Sequence, residues 1–291
     1  MLTINRLKTH LSNIFGSQRS FDFLTKLIVS KNQNYIRVVH YHDTPEKDLV
    51  NFRQHLEWYS QYFQNCDYKS LRGLLDNGKW EGLPGLIISF DDGLRNNYEY
   101  AAPILEEFGF TGWFMLPAAC INESDILNQY DLAKKNRIDF EKEEFNKYLF
   151  MSWDDVLDLE KRGHLVTCHS MNHRRLSDEL TSSDINIEVR SAKALMEKKL
   201  KHQITAFTWV GGEEWSYGKK AYKVMVEENF TEIFCTNSSI ITSNTNSNFL
   251  ERSHIDSYDS LNMVRFVLGG LYDLKYKNKR SRIFKKLKKI K

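Results

Sequence analysis

A chain of 291 residues, 41% hydrophobic and 27% charged, is an ordinary globular composition with ample length for a core, which excludes a disordered or collagen-like chain. The net charge of +3 hides an asymmetry: ten of the 41 Lys and Arg crowd between Lys275 and Lys291, where there is no acid, so the rest of the chain is acidic. The four cysteines (Cys66, Cys120, Cys168, Cys235) are scattered without C-x-x-C spacing, which excludes a disulfide framework and reads as buried, reduced thiols.

In chain order, residues 1–34 read as a helical leader, with Leu7, Leu11, Ile14 and Phe15 at helical spacing and FDFLTKLIVS as a second segment. The opening MLTINRLKTHLSNIFGS never assembles the apolar run of a secretory signal, and no later stretch is apolar enough to span a membrane. The expectation is therefore a cytoplasmic protein. From Tyr35 short strand-like runs alternate with amphipathic helices. YIRVVH is followed by a helix through DLVNFRQHLEWYSQYF, and GLIISF by one through EYAAPILEEF that Gly109 caps. TGWFML comes next, then a polar insertion over 121–150. SWDDVLDLEKRG has Ser152 as N-cap and two acids in its first turn. Strands HLVTC, TAFTWV, EIFCT and FLERSHI follow, each with a helical stretch after it. Seven β–α units imply a parallel sheet covered by helices, open or closed into a barrel.

In such folds the reactive groups collect at the carboxyl ends of the strands. Asp91 and Asp92 follow GLIISF, His169 and His173 follow HLVTC, and His40 and His42 end YIRVVH. Adjacent carboxylates raise each other's cost of ionising, so the pair needs water or a cation. His169 and His173 are spaced to share one face of a helical turn. Two imidazoles and one carboxylate suit zinc, cobalt or iron with positions left open, while the second carboxylate stays free as a base.

SFDDG and HSMNH resemble the first two motifs of the polysaccharide deacetylase family, the NodB-homology group of carbohydrate esterase family 4. The likeness covers roughly 35–270 and implies a distorted (β/α) barrel, often of seven strands. It also implies hydrolysis of an acetyl group, usually an acetamide, on a sugar. Carried over residue by residue, Asp91 would be the general base. Asp92, His169 and His173 would hold the divalent metal, zinc first, with Co2+, Fe2+ or Ni2+ as alternatives. The third motif departs from the pattern: FTWVGGEEWSYG has Val210 in place of a proline and no arginine to pair with the catalytic Asp. Gly211 and Gly212 are its candidate oxyanion donors, and Trp209 and Trp215 candidate sugar contacts. The motif that supplies the family's acid is absent; His254, oriented by Asp256, and alternatively His42 are the substitutes.

The expected domains are the leader 1–34, a barrel over 35–270 with the insertion, and a basic amphipathic tail over 271–291. Ile283, Phe284, Leu287 and Ile290 share a helical face there, lysines lie elsewhere, and an anionic membrane is the expected partner rather than nucleic acid. The expected substrate is an N-acetylated saccharide or lipid-linked glycan at the inner membrane face. The alternatives are a silent carbohydrate-binding barrel and a metallohydrolase acting on a non-sugar amide.

Overall fold

The computed structural model describes residues 2–31, 34–140 and 147–288. Its strands are β1 (Ile36–Tyr41), β2 (Gln64–Asn65), β3 (Gly85–Phe90), β4 (Gly112–Leu116), β5 (Leu165–Cys168), β6 (Ala206–Thr208), β7 (Glu232–Cys235), β8 (Leu250–Glu251) and β9 (Ser253–His254). All pairs are parallel, in the order β8-β7-β6-β5-β4-β3-β1-β9, with β2 beside β3. The seven expected strands are present. The difference lies in FLERSHI, which divides at Arg252: β8 extends one end of the sheet and β9 pairs with β1 at the other. The chain thus steps from the last strand to the first across one residue, and the barrel is nearly closed.

Because strand side chains alternate, each strand feeds two layers. Ile36, Val38, Ile87, Trp113, Met115, Phe234 and Leu250 fill the interior, while Val39, Tyr41, Ile88, Phe90, Phe114 and Leu116 meet the helices. Continuing the inward positions upward gives His40 and His42 from β1, Ser89 and Asp91 from β3, His169 from β5, and Arg252 and His254 at the closure. The apolar floor becomes polar at the carboxyl end. Burial on both sides explains why β1, β3 and β4 are near-continuous buried runs.

The insertion is built into the shell rather than laid over it. Asp125 caps the helix Ile126–Asn136, and buried Gln129 accepts the backbone N–H groups of Leu149 and Phe150. Ser152 is the expected N-cap of the helix Trp153–Lys161, and Asp155 returns the contact to complete a capping box. The leader supplies helices Leu2–Phe15 and Gln18–Lys31. Phe21 packs edge-on against Trp58 with ring centroids 4.7 Å apart. A Cβ on Gly16 would lie 2.0 Å from the Asn262 carbonyl oxygen, so only glycine lets this turn approach the helix Leu261–Leu268 so closely.

The tail corrects its expected role. Residues Leu271–Lys288 form one helix, with Ile283 and Leu287 fully buried against the body and Phe284 5.0 Å from Phe249. Arg282 pairs with Glu214 at 2.8 Å and Lys286 with Asp178 at 2.9 Å. The apolar face meant for a membrane is used to dock the helix; Ile290 lies outside the described residues. Among the described residues no helix is long and apolar enough to cross a membrane. Leu287→Ala should therefore lower stability by about 2–5 kcal/mol, as a buried Leu truncation does, read as a shifted denaturant midpoint. A change under about 0.5 kcal/mol, the range of surface substitutions, would mean that the face is free.

Candidate active site and metal centre

The adjacent carboxylates part company at the end of β3. Asp91 is still in the inward register, and its N–H donates to the Tyr41 carbonyl. Asp92 then turns into the left-handed region at φ 70, followed by Gly93 at φ 69. A Cβ on Gly93 would stand 2.7 Å from Ile121 Cδ1, so both the conformation and the space require glycine. The result is two buried carboxylates aimed at different partners.

Asp91 meets Arg252. The fully buried guanidinium donates to Oδ1 at 2.6 Å and to Oδ2 at 2.9 Å, and also reaches Ser89 Oγ at 3.2 Å. Burial pushes the Asp91 carboxyl upward, but Arg252, with His169 assisting, holds it well below the usual carboxylate range. This arginine was missed in the sequence because it comes from the closure and not from the third motif. The only signal was an arginine inside a short, otherwise strand-like run.

Asp92 meets the histidines. Its Oδ1 lies 3.1 Å from His173 Nε2 and 3.7 Å from His169 Nε2. That oxygen is buried and finds no aligned hydrogen-bond donor. The imidazoles do not share a helical turn, contrary to the expectation. Ser170 and His173 take positive φ values of 67 and 52, and this irregular loop brings the rings to 5.1 Å. Each ring donates its Nδ1–H to a backbone carbonyl: His169 to Thr208 at 3.0 Å, His173 to Asn136 at 2.9 Å. Both Nε2 atoms therefore face Asp92, as ligands fixed by an outer hydrogen bond do. The insertion, by way of Asn136, orients one of them. Burial lowers His169 to about 4 against the pull of Asp91. Burial pulls His173 down, but Asp92, the Asn136 carbonyl and Asp91 together raise it, and Asp92 is drawn down to about 2 by the histidines despite its own burial. An orphaned carboxylate oxygen beside two pre-oriented imidazoles, with all three donor atoms within 4.8 Å of one another, fits a divalent cation.

A second group of histidines stands beside Asp91. The rings of His40, His42 and His254 lie 5.0–5.4 Å apart, and His42 Nε2 is 4.0 Å from Asp91 Oδ2. His254 Nε2 is 3.1 Å from Asp256 Oδ1, the expected partner. Burial and Arg252 hold His40 well below the usual imidazole range.

These groups line a cleft of two lobes. One, of about 650 Å³, runs past His42, Asp92, His173 and His254 to Arg137 and Phe140 of the insertion. The other, of about 540 Å³, contains Asp91, His169 and Trp209. Gly211 lines both lobes. The Gly212 N–H is engaged by the Glu213 carboxylate at 3.1 Å. Trp209 is fully buried, whereas Trp215 is 55% exposed on the short helix Glu214–Ser216 and lines neither lobe.

The family model of polysaccharide deacetylases matches residues 83–239, more than half of the chain. The chain belongs to the polysaccharide deacetylase family. Solved structures of the same fold include the deacetylase PplD of Streptococcus pyogenes in complex with acetate, 15% identical at TM-score 0.62 and covering 80% of this chain and 98% of that one. IcaB of Ammonifex degensii is 12% identical at TM-score 0.60, covering 82% and 97%. The BpsB deacetylase domain of Bordetella bronchiseptica is 14% identical at TM-score 0.58, covering 76% and 96%. No curated protein matches the chain.

Two predictions follow from these charges. Arg252→Met leaves Asp91 buried and uncompensated and should cost about 3–5 kcal/mol. Adding Asp91→Asn should recover part of that loss in a double-mutant cycle by denaturant titration. Glu251, behind the closure, is raised to about 7 by burial, although the Asn237 N–H opposes this. A carboxyl raised in the folded state contributes its full stability below the unfolded value, near 4.5, and loses it as pH climbs through about 7. Glu251→Gln should thus raise the melting temperature relative to the parent above pH 7 and change it little below pH 4.5. A constant difference at all pH values would contradict the assignment.

Proposed function

We propose that this polysaccharide deacetylase family member is a metal-dependent enzyme that hydrolyses the acetamide of an N-acetylated sugar. The observation that carries this reading is the division of labour between neighbours lining one cleft: Asp92 faces two imidazoles, and Asp91 is held from behind by a buried guanidinium. Asp92, His169 and His173 would hold a divalent cation, zinc first and Co2+, Fe2+ or Ni2+ as alternatives, which would supply Lewis acidity toward the acetyl carbonyl and the hydrolytic water.

Asp91, kept ionised and immobile by the two guanidinium bonds, accepts the water's proton. The same bonds limit its basicity, so the proton must move on, and His42 is the nearest titratable imidazole on its Oδ2 side. His254, held by Asp256, protonates the departing amine. Gly211 is the backbone donor we assign to the oxyanion, since the N–H of Gly212 is engaged elsewhere. The silent-barrel alternative rests on the missing third- and fifth-motif residues; Arg252 supplies the arginine partner, and we assign the acid's role to His254. Four buried, unpaired thiols suit a reducing compartment, and we place the enzyme in the cytoplasm, acting on a saccharide or lipid-linked glycan.

Acetate release from N-acetylated saccharides tests the roles. Asp91→Asn should lose about 100-fold or more, the usual worth of a positioned base, while keeping its metal by elemental analysis. Asp92→Ala should lose the metal itself. Turnover only of non-sugar amides would transfer the assignment to another metallohydrolase.

A further inference from the structure

One wall of the cleft is made by segments outside the matched residues 83–239. The lobe that holds Asp91 is also lined by Lys8 of the leader and by Tyr272, Tyr276 and Lys279 of the terminal helix. The phenol rings meet edge to face with centroids 5.4 Å apart, and their hydroxyls are 3.5 Å apart. Ammonium groups occupy the ring faces. Lys8 lies 5.8 Å and Lys275 5.0 Å from the Tyr272 centroid; Lys275 lies 5.3 Å and Lys279 5.4 Å from that of Tyr276.

Both carboxylates that line this lobe are already held by arginines. Asp91 is held by Arg252, and Glu213 by Arg175 at 3.1 Å and by the Gly212 N–H. Lys8 reaches Asp259 only at 4.0 Å. Lys275 donates to the Tyr272 hydroxyl, and Lys279 to the Gly212 carbonyl; among the described residues neither pairs with a carboxylate. An ammonium has three donors, so Lys279 keeps two to offer. Ring faces covered by cations are poor stacking platforms for a neutral sugar and good seats for anionic oxygens.

We propose that Lys8, Tyr272, Tyr276 and Lys279 form a subsite for an anionic group, phosphate or carboxylate, on the saccharide whose acetamide lies at Asp91. The lysines bind the oxygens and the phenol hydroxyls bind neighbouring sugar hydroxyls, so the substrate is an acidic glycan. The subsite rests on the deacetylase reading above. It also gives the tail a use: with its apolar face docked, the helix brings Tyr272, Tyr276 and Lys279 to the lining of the cleft.

Calorimetric titration of the Asp91→Asn protein reads binding without turnover. The probes are neutral triacetylchitotriose, the same trisaccharide with a reducing-end phosphate, and a tetrasaccharide alternating N-acetylglucosamine with glucuronate. At least one acidic probe should bind about 10-fold tighter than the neutral one, as a charge-assisted contact does, and the stronger of the two identifies the source. The advantage should shrink with added salt and approach unity after Lys279→Gln and after Lys8→Gln. The second variant leaves the Gly212 contact intact should the first disturb it. Equal affinity for all probes would overturn the proposal. So would an advantage that survives both substitutions, or one that disappears only on replacing the distant Lys285 and Lys288. Failure of the deacetylase reading would instead show as no acetate from any saccharide, whatever the binding order.

Discussion

Two neighbouring carboxylates must both stay ionised in a space from which water is largely removed, and the architecture around Asp91 and Asp92 answers that constraint. Their mutual repulsion is relieved in opposite directions. The left-handed turn at Asp92 and Gly93 sends one carboxylate to the imidazoles, and the strand register sends the other to Arg252. Arg252 is also the residue at which the barrel passes from its last strand to its first. A buried ion pair is weak evidence for stability. Here its geometric role is clear: the closure cannot slip a residue without turning Arg252 away from Asp91.

Much of this was legible in the sequence. The β–α alternation marked all seven main strands, and SFDDG with HSMNH marked the site, because strand ends and their local turns are encoded by contiguous residues. What depends on distant partners was not legible. Arg252 gains its meaning only when FLERSHI splits between two sheet edges. The spacing of His169 and His173 suggested a helix, but the loop reaches the same juxtaposition through positive φ at Ser170 and His173. Asn136 orients His173 through a carbonyl that any residue carries, so no side-chain pattern could announce it. Ile283 and Leu287 show an amphipathic face without saying what covers it, and the body does.

The barrel loops supply most of the cleft lining, and the insertion, leader and terminal helix complete it. The insertion supplies Arg137 and Phe140 to one lobe and steadies a histidine; the leader and terminal helix wall the other with lysine and tyrosine. A fold held in common at 12–15% identity does not by itself set the substrate. The sheet places the candidate site residues, and the terminal helix with the leader completes one wall beside them.

The central claim is that the neighbouring carboxylates hold different cations. Crystals grown with zinc and measured on both sides of its absorption edge test it directly. The account predicts an anomalous peak between Asp92, His169 and His173, with Asp91 still clamped to Arg252. A peak bonded to Asp91, or one among His40, His42 and His254 with Asp92 unligated, would contradict it.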